Sequence, residues 1–312
     1  MTALVGDIGG TNTRLALAQD GHLLGNSMRV MANRDHADFS SMLTGYLRAL
    51  DLSSVSAVCL GAAGPVQDGA VQLTNAPWRI ESAAVTALTG ASNTILLNDL
   101  QAMAHALHGL GGQDQHTILA GAKNVPTAAP RLIVAPGTGI NAAVAHMTRT
   151  GVFVPPSESG HVALSAHDSI DLAFCDFARA ELGHCPVEAA LCGPGLERLY
   201  RFFGGKDAAK APAILGNFET GQDLAATRAV DLFGRYLGRY CADLSLIHLP
   251  FGGIFLAGGV GRAIASILHR TGFATSFHRG GPYASIHKSI TISEVTVPQL
   301  ALLGCAQRLM QS

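Results

Sequence analysis

Two segments of the chain share one layout, in which a buried strand runs into a glycine turn and then into a second apolar strand. The first covers residues 3–18 and turns at Gly9-Gly10, and the second covers residues 131–145 and turns at Gly137-Thr138-Gly139. Apolar runs of this length broken by glycines are typical of strand, turn, strand. The repeat predicts two lobes of similar construction.

The rest of the chain alternates short buried-strand runs with longer runs of helical periodicity, which predicts an α/β fold. Predicted strands cover residues 55–60, 95–97, 152–154 and 252–256, and predicted helices cover residues 39–50, 100–110, 169–182, 193–203, 224–247, 262–269 and 298–309.

The predicted domains follow from this layout. A small α/β domain covers residues 1–109, and a large α/β domain covers residues 110–297. The C-terminal segment, 298–312, is apolar at helical spacing, so we expect it to complete the small domain.

Composition restricts the class of partner. Hydrophobic residues make up 48% of the 312, which is enough for a sizeable core. The 21 Lys and Arg nearly balance the 22 Asp and Glu, and no basic stripe stands out. Nucleic-acid and acidic-membrane partners normally require a positive face, so we expect neither and predict a small-molecule substrate.

The termini and cysteines indicate a cytoplasmic protein. Asp7 interrupts the first apolar run, which excludes a secretory signal. The most apolar stretch, residues 244–260, is too broken by proline and glycines to span a bilayer. The six cysteines are scattered without a CxxC pair, which favours reduced thiols over disulfides or a zinc site.

The first glycine turn has the features of a phosphate site. Gly9-Gly10 lets backbone N–H groups approach an anion, and Thr11 and Asn12 add side-chain donors. Asp7 could hold a hydrated cation beside the phosphates. An ordinary hairpin would explain the two glycines alone, but the flanking residues favour phosphate binding.

The second turn offers the same chemistry and also matches the G-x-G-x-x-A dinucleotide fingerprint, with Glu158 at a suitable distance. That fingerprint must open a helix. Here the chain resumes as the extended run 152–154 before Pro155-Pro156, so we predict a hairpin and disfavour a nicotinamide dehydrogenase.

Asn98-Asp99 follows a buried strand and precedes a helix, where open α/β sheets place ligand groups. The Asp99 carboxylate could accept the proton of an attacking hydroxyl. Taken alone, Asp99 is better explained as the N-cap of the helix that starts at Leu100.

Glu158 and His161 have the E-x-x-H spacing of metal-binding helices, but neighbouring prolines and Gly160 place them in a loop, and a second copy is missing. We therefore expect them to bind vicinal hydroxyls rather than a metal. His105 and His108 are predicted to lie on a helix surface.

Taken in order, these segments resemble the bacterial glucokinase family, of the non-ROK type. That family belongs to the actin-like ATPase superfamily, which includes hexokinases and Hsp70. The resemblance runs along nearly the whole chain and is carried by residues 4–17 (LVGDIGGTNTRLAL), Thr74-Asn75 with Trp78, Asn98-Asp99, Gly137-Thr138-Gly139, Glu158 with Gly160-His161-Val162, Glu188 with Gly193-Pro194-Gly195-Leu196, and Ala257-Gly258-Gly259.

The resemblance implies a two-lobed actin-like ATPase (ribonuclease H-like) fold with a central ligand cleft. It implies phosphorylation of glucose, or a close hexose, at the 6-hydroxyl by ATP with Mg²⁺. Asp99 matches the catalytic base, and the sugar ligands match Asn75, Asn98, Glu158, His161 and Glu188. The nucleotide-binding set matches Gly6, Asp7, Ile8, Gly9, Gly10, Thr11, Asn12, Gly137, Thr138, Gly139, Gly258 and Gly259, with Asp7 also reaching Mg²⁺ through water.

The sequence departs from the family pattern on both sides of the second turn. Pro136 precedes the turn, Ile140-Asn141-Ala142 replaces a Leu-Gly continuation, and Ser159 replaces a common glycine. These departures leave Asp99 and the sugar ligands in place and bear on nucleotide affinity. The alternative function is a sugar sensor or regulator on the same fold. A homodimer is one expected assembly. The sequence leaves open which hexose is preferred.

Overall fold

The computed structural model describes residues 2–74 and 76–311, in which helices and strands are mixed. The strands are β1 (Thr2–Ile8), β2 (Asn12–Gln19), β3 (His22–Ala32), β4 (Val58–Ala62), β5 (Val66–Gln67), β6 (Ala70–Gln72), β7 (Arg79–Glu81), β8 (Thr94–Asn98), β9 (Gln115–Leu119), β10 (Arg131–Pro136), β11 (Ile140–Thr148), β12 (Gly151–Phe153), β13 (Ile254–Leu256) and β14 (Ile292–Val295).

The helices are α1 (Phe39–Ala49), α2 (Ser82–Thr89), α3 (Asp99–Ala106), α4 (Ser169–Leu182), α5 (Gly193–Phe202), α6 (Ala211–Thr220), α7 (Leu224–His248), α8 (Gly259–Ala265), α9 (Phe273–Phe277), α10 (Ala284–Ser289) and α11 (Leu300–Leu309). None of the helices in the described residues is long and apolar enough to cross a membrane.

The described residues form two compact units. Unit 1 comprises the described residues of segments 1–110, 145–156 and 297–312, and unit 2 comprises segments 111–144 and 157–296. The segment 145–156, which the sequence-based boundaries assign to the large domain, packs in unit 1. Whether each unit folds as an independent domain stays a prediction.

Unit 1 is built on a five-stranded sheet in the order β3-β2-β1-β4-β8. The first three strands are antiparallel neighbours, while β1, β4 and β8 run parallel. The parallel register aligns Ile8 with Ala62 and Ala62 with Asn98. The first glycine turn and Asn98-Asp99 therefore leave the sheet at the same edge, because parallel strands end together.

Both faces of this sheet are covered. Leu4 and Leu60 belong to the buried cluster that includes α1. Val5 and Cys59 pack with Ala102 of α3 and Leu302 of α11 on the other face. The apolar stripe predicted at the C-terminus thus packs against the sheet of unit 1.

Unit 2 contains the sheet β11-β10-β13-β14-β9, with β10, β13 and β14 parallel and β9 antiparallel. Its core joins β10 to the 25-residue helix α7 and includes Val134, Phe233 and Leu237, all fully buried. The second glycine turn connects the neighbouring strands β10 and β11. The predicted hairpin is therefore confirmed, because a Rossmann turn would have opened a helix.

The hairpin β11–β12 belongs to unit 1 from residue 145 onward. Its strands pair His146 with Phe153. The side chains of Gln101, in α3, and of Gln311, which follows α11, bind its backbone. Gln101 donates to the Val154 carbonyl at 3.0 Å, and Gln311 accepts from the Val152 N–H at 3.1 Å.

Several predicted elements were wrong in extent or position. The helix predicted over 100–110 is regular only to Ala106, and a 3₁₀ turn follows. The helix predicted over 262–269 is α8, which starts at Gly259 and ends at Ala265. His105 was predicted on a helix surface but is only 5% exposed, because α11 covers α3; His108 is half-buried.

Candidate active site

The first glycine turn is held from behind by Asn33. The turn closes with a hydrogen bond from the Gly9 N–H to the Asn12 carbonyl at 3.0 Å. Asn33 donates from Nδ2 to the Gly9 carbonyl and accepts from the Thr13 hydroxyl, each at 2.9 Å. Its own N–H donates to the Thr11 carbonyl at 2.9 Å. Sequence reasoning missed Asn33, because its role depends on the β2–β3 pairing.

A cavity of about 310 Å³ opens at this turn and is lined by Gly10, Thr11, Asn12, Ala32, Asn33 and Arg34. Three of these residues belong to the predicted nucleotide-binding set. The Arg34 side chain, which lines the cavity, is 87% exposed and lies 3.7 Å from the Asp35 carboxylate. An arginine beside glycine-turn N–H groups suits a phosphate.

Asp7 lies at the end of β1, opposite Arg14 in the β1–β2 register. The Arg14 guanidinium donates to Asp7 Oδ2 at 2.9 Å. Burial raises the pKa of the Asp7 carboxyl, and the arginine offsets part of that rise. The described residues contain no cluster of three His, Cys, Asp or Glu side chains that could hold a metal. A lone carboxylate fits Mg²⁺ that keeps its waters and its phosphate ligands.

Gly6 and Ile8 lie within β1 beside Asp7. The Ile8 side chain is fully buried in the core, so that position can offer a nucleotide only its backbone. A side chain at Gly6 would overlap Leu60 and Leu15. In this structure both residues pack the sheet that carries the turn.

Asn98, rather than Asp99, is the N-cap of α3. Its Oδ1 accepts from the Leu100 N–H at 2.9 Å, while Gln101 reaches back to the Asn98 N–H to form a capping box. Asn98 Nδ2 donates to the Gly64 carbonyl at 3.2 Å. Asp99 is the first helical residue, and its Oδ1 also accepts from the Leu100 N–H at 2.9 Å. Both side chains are half-buried.

The second glycine turn is supported by Glu188. Glu188 Oε2 accepts from the Ile140 N–H at 2.9 Å, and any side chain at Gly139 would overlap this carboxylate. The Gly193 N–H donates to the Gly137 carbonyl at 2.9 Å, which ties the start of α5 to the turn.

The segment after Glu188 is itself held in place. The Cys192 thiol donates to the Glu188 carbonyl at 3.1 Å and accepts from the Gly195 N–H, capping α5. Burial raises the pKa of Cys192 to about 11, so the thiol keeps its proton.

Glu158 and His161 flank and end a 3₁₀ turn, Ser159–His161, and both are exposed. Glu158 Oε2 accepts from Asn141 Nδ2 at 3.2 Å. The Glu158 carboxylate is therefore held by a hydrogen bond from β11.

Gly258-Gly259 lies where β13 meets α8. Gly258 has φ +79° and a side chain there would overlap the Pro136 carbonyl. Gly258, one of the predicted nucleotide-binding glycines, thus packs directly beside the residue that precedes the second turn.

The structure brings several predicted site residues together within each unit. In unit 1 the first turn and Asn98-Asp99 share one sheet edge. In unit 2 the second turn contacts Glu188, and β11 contacts Glu158. Asn75, predicted to bind sugar, lies outside the described residues.

The fold is that of sugar kinases with the actin-like ATPase architecture. The crystal structure of a glucokinase from an Antarctic psychrotroph superposes with a TM-score of 0.86 at 27% identity, covering 100% of this chain and 99% of that chain. The Balamuthia mandrillaris glucokinase in complex with glucose gives a TM-score of 0.77 at 21% identity, covering 100% and 94%.

Sequence comparison defines the family. The Glucokinase family model matches residues 4–312. The glucokinase of Chelativorans sp. (strain BNC1) is 34% identical over 310 residues, which cover 97% of this chain and 90% of that protein. The chain belongs to the glucokinase family and is a hexose kinase.

Proposed function

We propose that the protein transfers the γ-phosphoryl group of ATP to the 6-hydroxyl of glucose, giving glucose 6-phosphate and ADP. The observation that supports this proposal most directly is the match to the Glucokinase family over residues 4–312. Relatives named glucokinase at 30–34% identity support the same activity.

The proposed roles divide between the two units. Asp99 accepts the proton of the 6-hydroxyl, while Asn98, Glu158, His161 and Glu188 bind the other hydroxyls. Phosphoryl transfer needs little covalent help from the protein, so the catalytic contribution is positioning and charge stabilisation.

The proposed nucleotide site uses the two glycine turns and Gly258-Gly259. Backbone N–H groups of the turns, with Thr11, Asn12 and Thr138, would bind phosphate oxygens. Mg²⁺ would neutralise phosphate charge when bound, with Asp7 as its protein carboxylate through water. The Asp7–Arg14 pair keeps that carboxylate in one orientation.

The test is an assay of the purified protein with ATP and Mg²⁺ against glucose, mannose, fructose and N-acetylglucosamine. We expect glucose to give the highest kcat/KM, with the product identified as the 6-phosphate by NMR. Glucose binding without turnover, measured by calorimetry, would instead identify the sugar sensor.

We also propose that the protein works in the cytoplasm as a homodimer. The six buried, unbridged cysteines support a reducing compartment, while the homodimer rests on the family resemblance. Analytical ultracentrifugation across a concentration series tests the assembly, and a monomer at every concentration would contradict it.

A further inference from the structure

Asn141, the second residue of β11, contacts three successive residues of the loop that carries Glu158. It is 9% exposed. Nδ2 donates to the Ser157 carbonyl at 2.6 Å and to Glu158 Oε2 at 3.2 Å. Oδ1 accepts from the Ser159 N–H at 3.0 Å and from the Ser159 hydroxyl at 3.2 Å. A single buried carboxamide thus spans the base of the loop.

The orientation of this carboxamide follows from its partners. Nδ2 faces a carbonyl and a carboxylate, both of which only accept, while Oδ1 faces a backbone N–H, which only donates. A flipped carboxamide would oppose acceptor to acceptor and donor to donor. Asn141 is therefore matched to the loop in one orientation only.

The network continues from Ser159 to α7. The Ser159 hydroxyl lies 3.2 Å from Asn141 Oδ1 and 2.7 Å from the Tyr240 hydroxyl, and it can donate to Oδ1 while it accepts from Tyr240. Tyr240 is 5% exposed, and burial raises its pKa, which keeps the phenol protonated. The loop is thereby anchored on both a strand and the longest helix of unit 2.

Backbone packing completes the anchor. A side chain at Gly160 would overlap the Ile140 carbonyl oxygen, so the loop lies directly on β11. The Ile140 N–H in turn binds Glu188. Residues 140 and 141 therefore contact both carboxylates proposed to bind the sugar, Glu158 and Glu188.

We propose that Asn141 is a positioning residue for sugar binding, which fixes the Glu158 carboxylate through the Asn141–Ser159–Tyr240 network. This rests on the proposed function, because Glu158 is taken as a sugar ligand. In this role Asn141 touches neither sugar nor nucleotide and acts through Glu158 and its loop.

The test compares Asn141→Ala, Ser159→Ala and Tyr240→Phe in steady-state assays that vary glucose and ATP separately. Loss of buried hydrogen bonds at Asn141 should raise the glucose KM about tenfold. The KM for ATP and kcat should stay within about threefold of the wild-type values, because the substitution leaves the fold and both glycine turns intact. Ser159→Ala should add little in the Asn141→Ala background, because residues of one network are not additive.

Tyr236→Phe is the matched control. Tyr236 lies one turn before Tyr240 on α7, and both tyrosines line a cavity of about 440 Å³ beside the Glu158 loop. The Tyr236 hydroxyl has no hydrogen bond to residues 157–161 in the described chain. Each of the two variants, Tyr240→Phe and Tyr236→Phe, removes one phenolic hydroxyl. Tyr240→Phe should raise the glucose KM while Tyr236→Phe leaves it at the wild-type value.

Hydrogen exchange of peptides spanning residues 155–165 tests positioning without any substrate. Exchange at the Ser159 amide should become faster in Asn141→Ala and Tyr240→Phe, but not in Tyr236→Phe. This result supports the network even if the protein fails to phosphorylate glucose, in which case only the proposed function is lost. Unchanged exchange, or glucose and ATP KM values that rise together, overturns the positioning role.

Discussion

The Glu188 carboxylate accepts the backbone N–H of Ile140 at 2.9 Å, immediately after the second glycine turn. Gly139 is the adjacent residue, and no side chain fits between it and Glu188. A proposed sugar ligand is therefore also a support of the proposed phosphate turn. The proposed sugar binding and the proposed phosphate binding therefore both depend on the contact between Glu188 and Ile140.

Glu188→Ala should raise the KM for both glucose and ATP. It removes a sugar ligand and leaves the Ile140 N–H unpaired, at a cost of about 1–3 kcal/mol. Glu158→Ala should raise the glucose KM alone, because Glu158 does not contact the turn. Steady-state kinetics with both substrates varied separates the two, with exposed Glu219→Ala as control. Equal effects of Glu188→Ala and Glu158→Ala on the ATP KM would contradict this.

Asp99→Asn should lower kcat by roughly 10²–10⁴-fold, the range for loss of a general base. Stability should hardly change, because Asn98 caps α3 and the new amide oxygen can still accept from Leu100. Asn98→Ala should instead lower the free energy of unfolding by about 1 kcal/mol. Thermal melts and single-turnover assays distinguish the two, and a folded Asp99→Asn enzyme with near wild-type turnover refutes the base.

Asn33→Ala should weaken ATP binding and lower the free energy of unfolding by about 1–3 kcal/mol. It removes the donor to the Gly9 carbonyl and the acceptor for Thr13, both at a site that is 6% exposed. Glucose binding without ATP should be unchanged by calorimetry. Exposed Asn26→Ala on β3 is the matched control, and equal effects of both variants would count against a special role of Asn33.

His105 should make unit 1 sensitive to acid. Burial, with the nearby Arg308 charge, lowers its pKa from 6.5 to about 4, and Nδ1 has no hydrogen-bond partner in the described chain. A lowered pKa gives stability that is present above pH 6.5 and lost as pH falls through about 4.

His105→Leu should remove up to about 3 kcal/mol of this pH dependence. Urea unfolding at several pH values between 7 and 4 measures the difference between variant and wild type. Exposed His22→Leu serves as the control. An identical pH slope in wild type and His105→Leu would show that the imidazole is not the acid-sensitive group.

Much of the fold was predictable because its signals are local. Alternating apolar runs and glycine turns indicated β1, β2, β10 and β11, and the extended run before Pro155-Pro156 indicated a hairpin rather than a Rossmann helix. The ordered motif residues indicated the family without any structure. The elements that were missed, such as β3 and α6, lack either sharp periodicity or a recognised motif.

The identities and spacing of the motif residues by themselves determined the class of fold and the hexose-kinase family. Strands, glycine turns and ligand-binding residues can be recognised in short segments, because each depends on neighbouring residues in the sequence. Tertiary structure alone decided which residues support them. Asn141 and Tyr240 meet Ser159 across 18 and 81 residues of chain, and His105 is buried only because α11 returns onto α3. Hydrogen-bond partners and burial are properties of long-range packing, which no local pattern specifies.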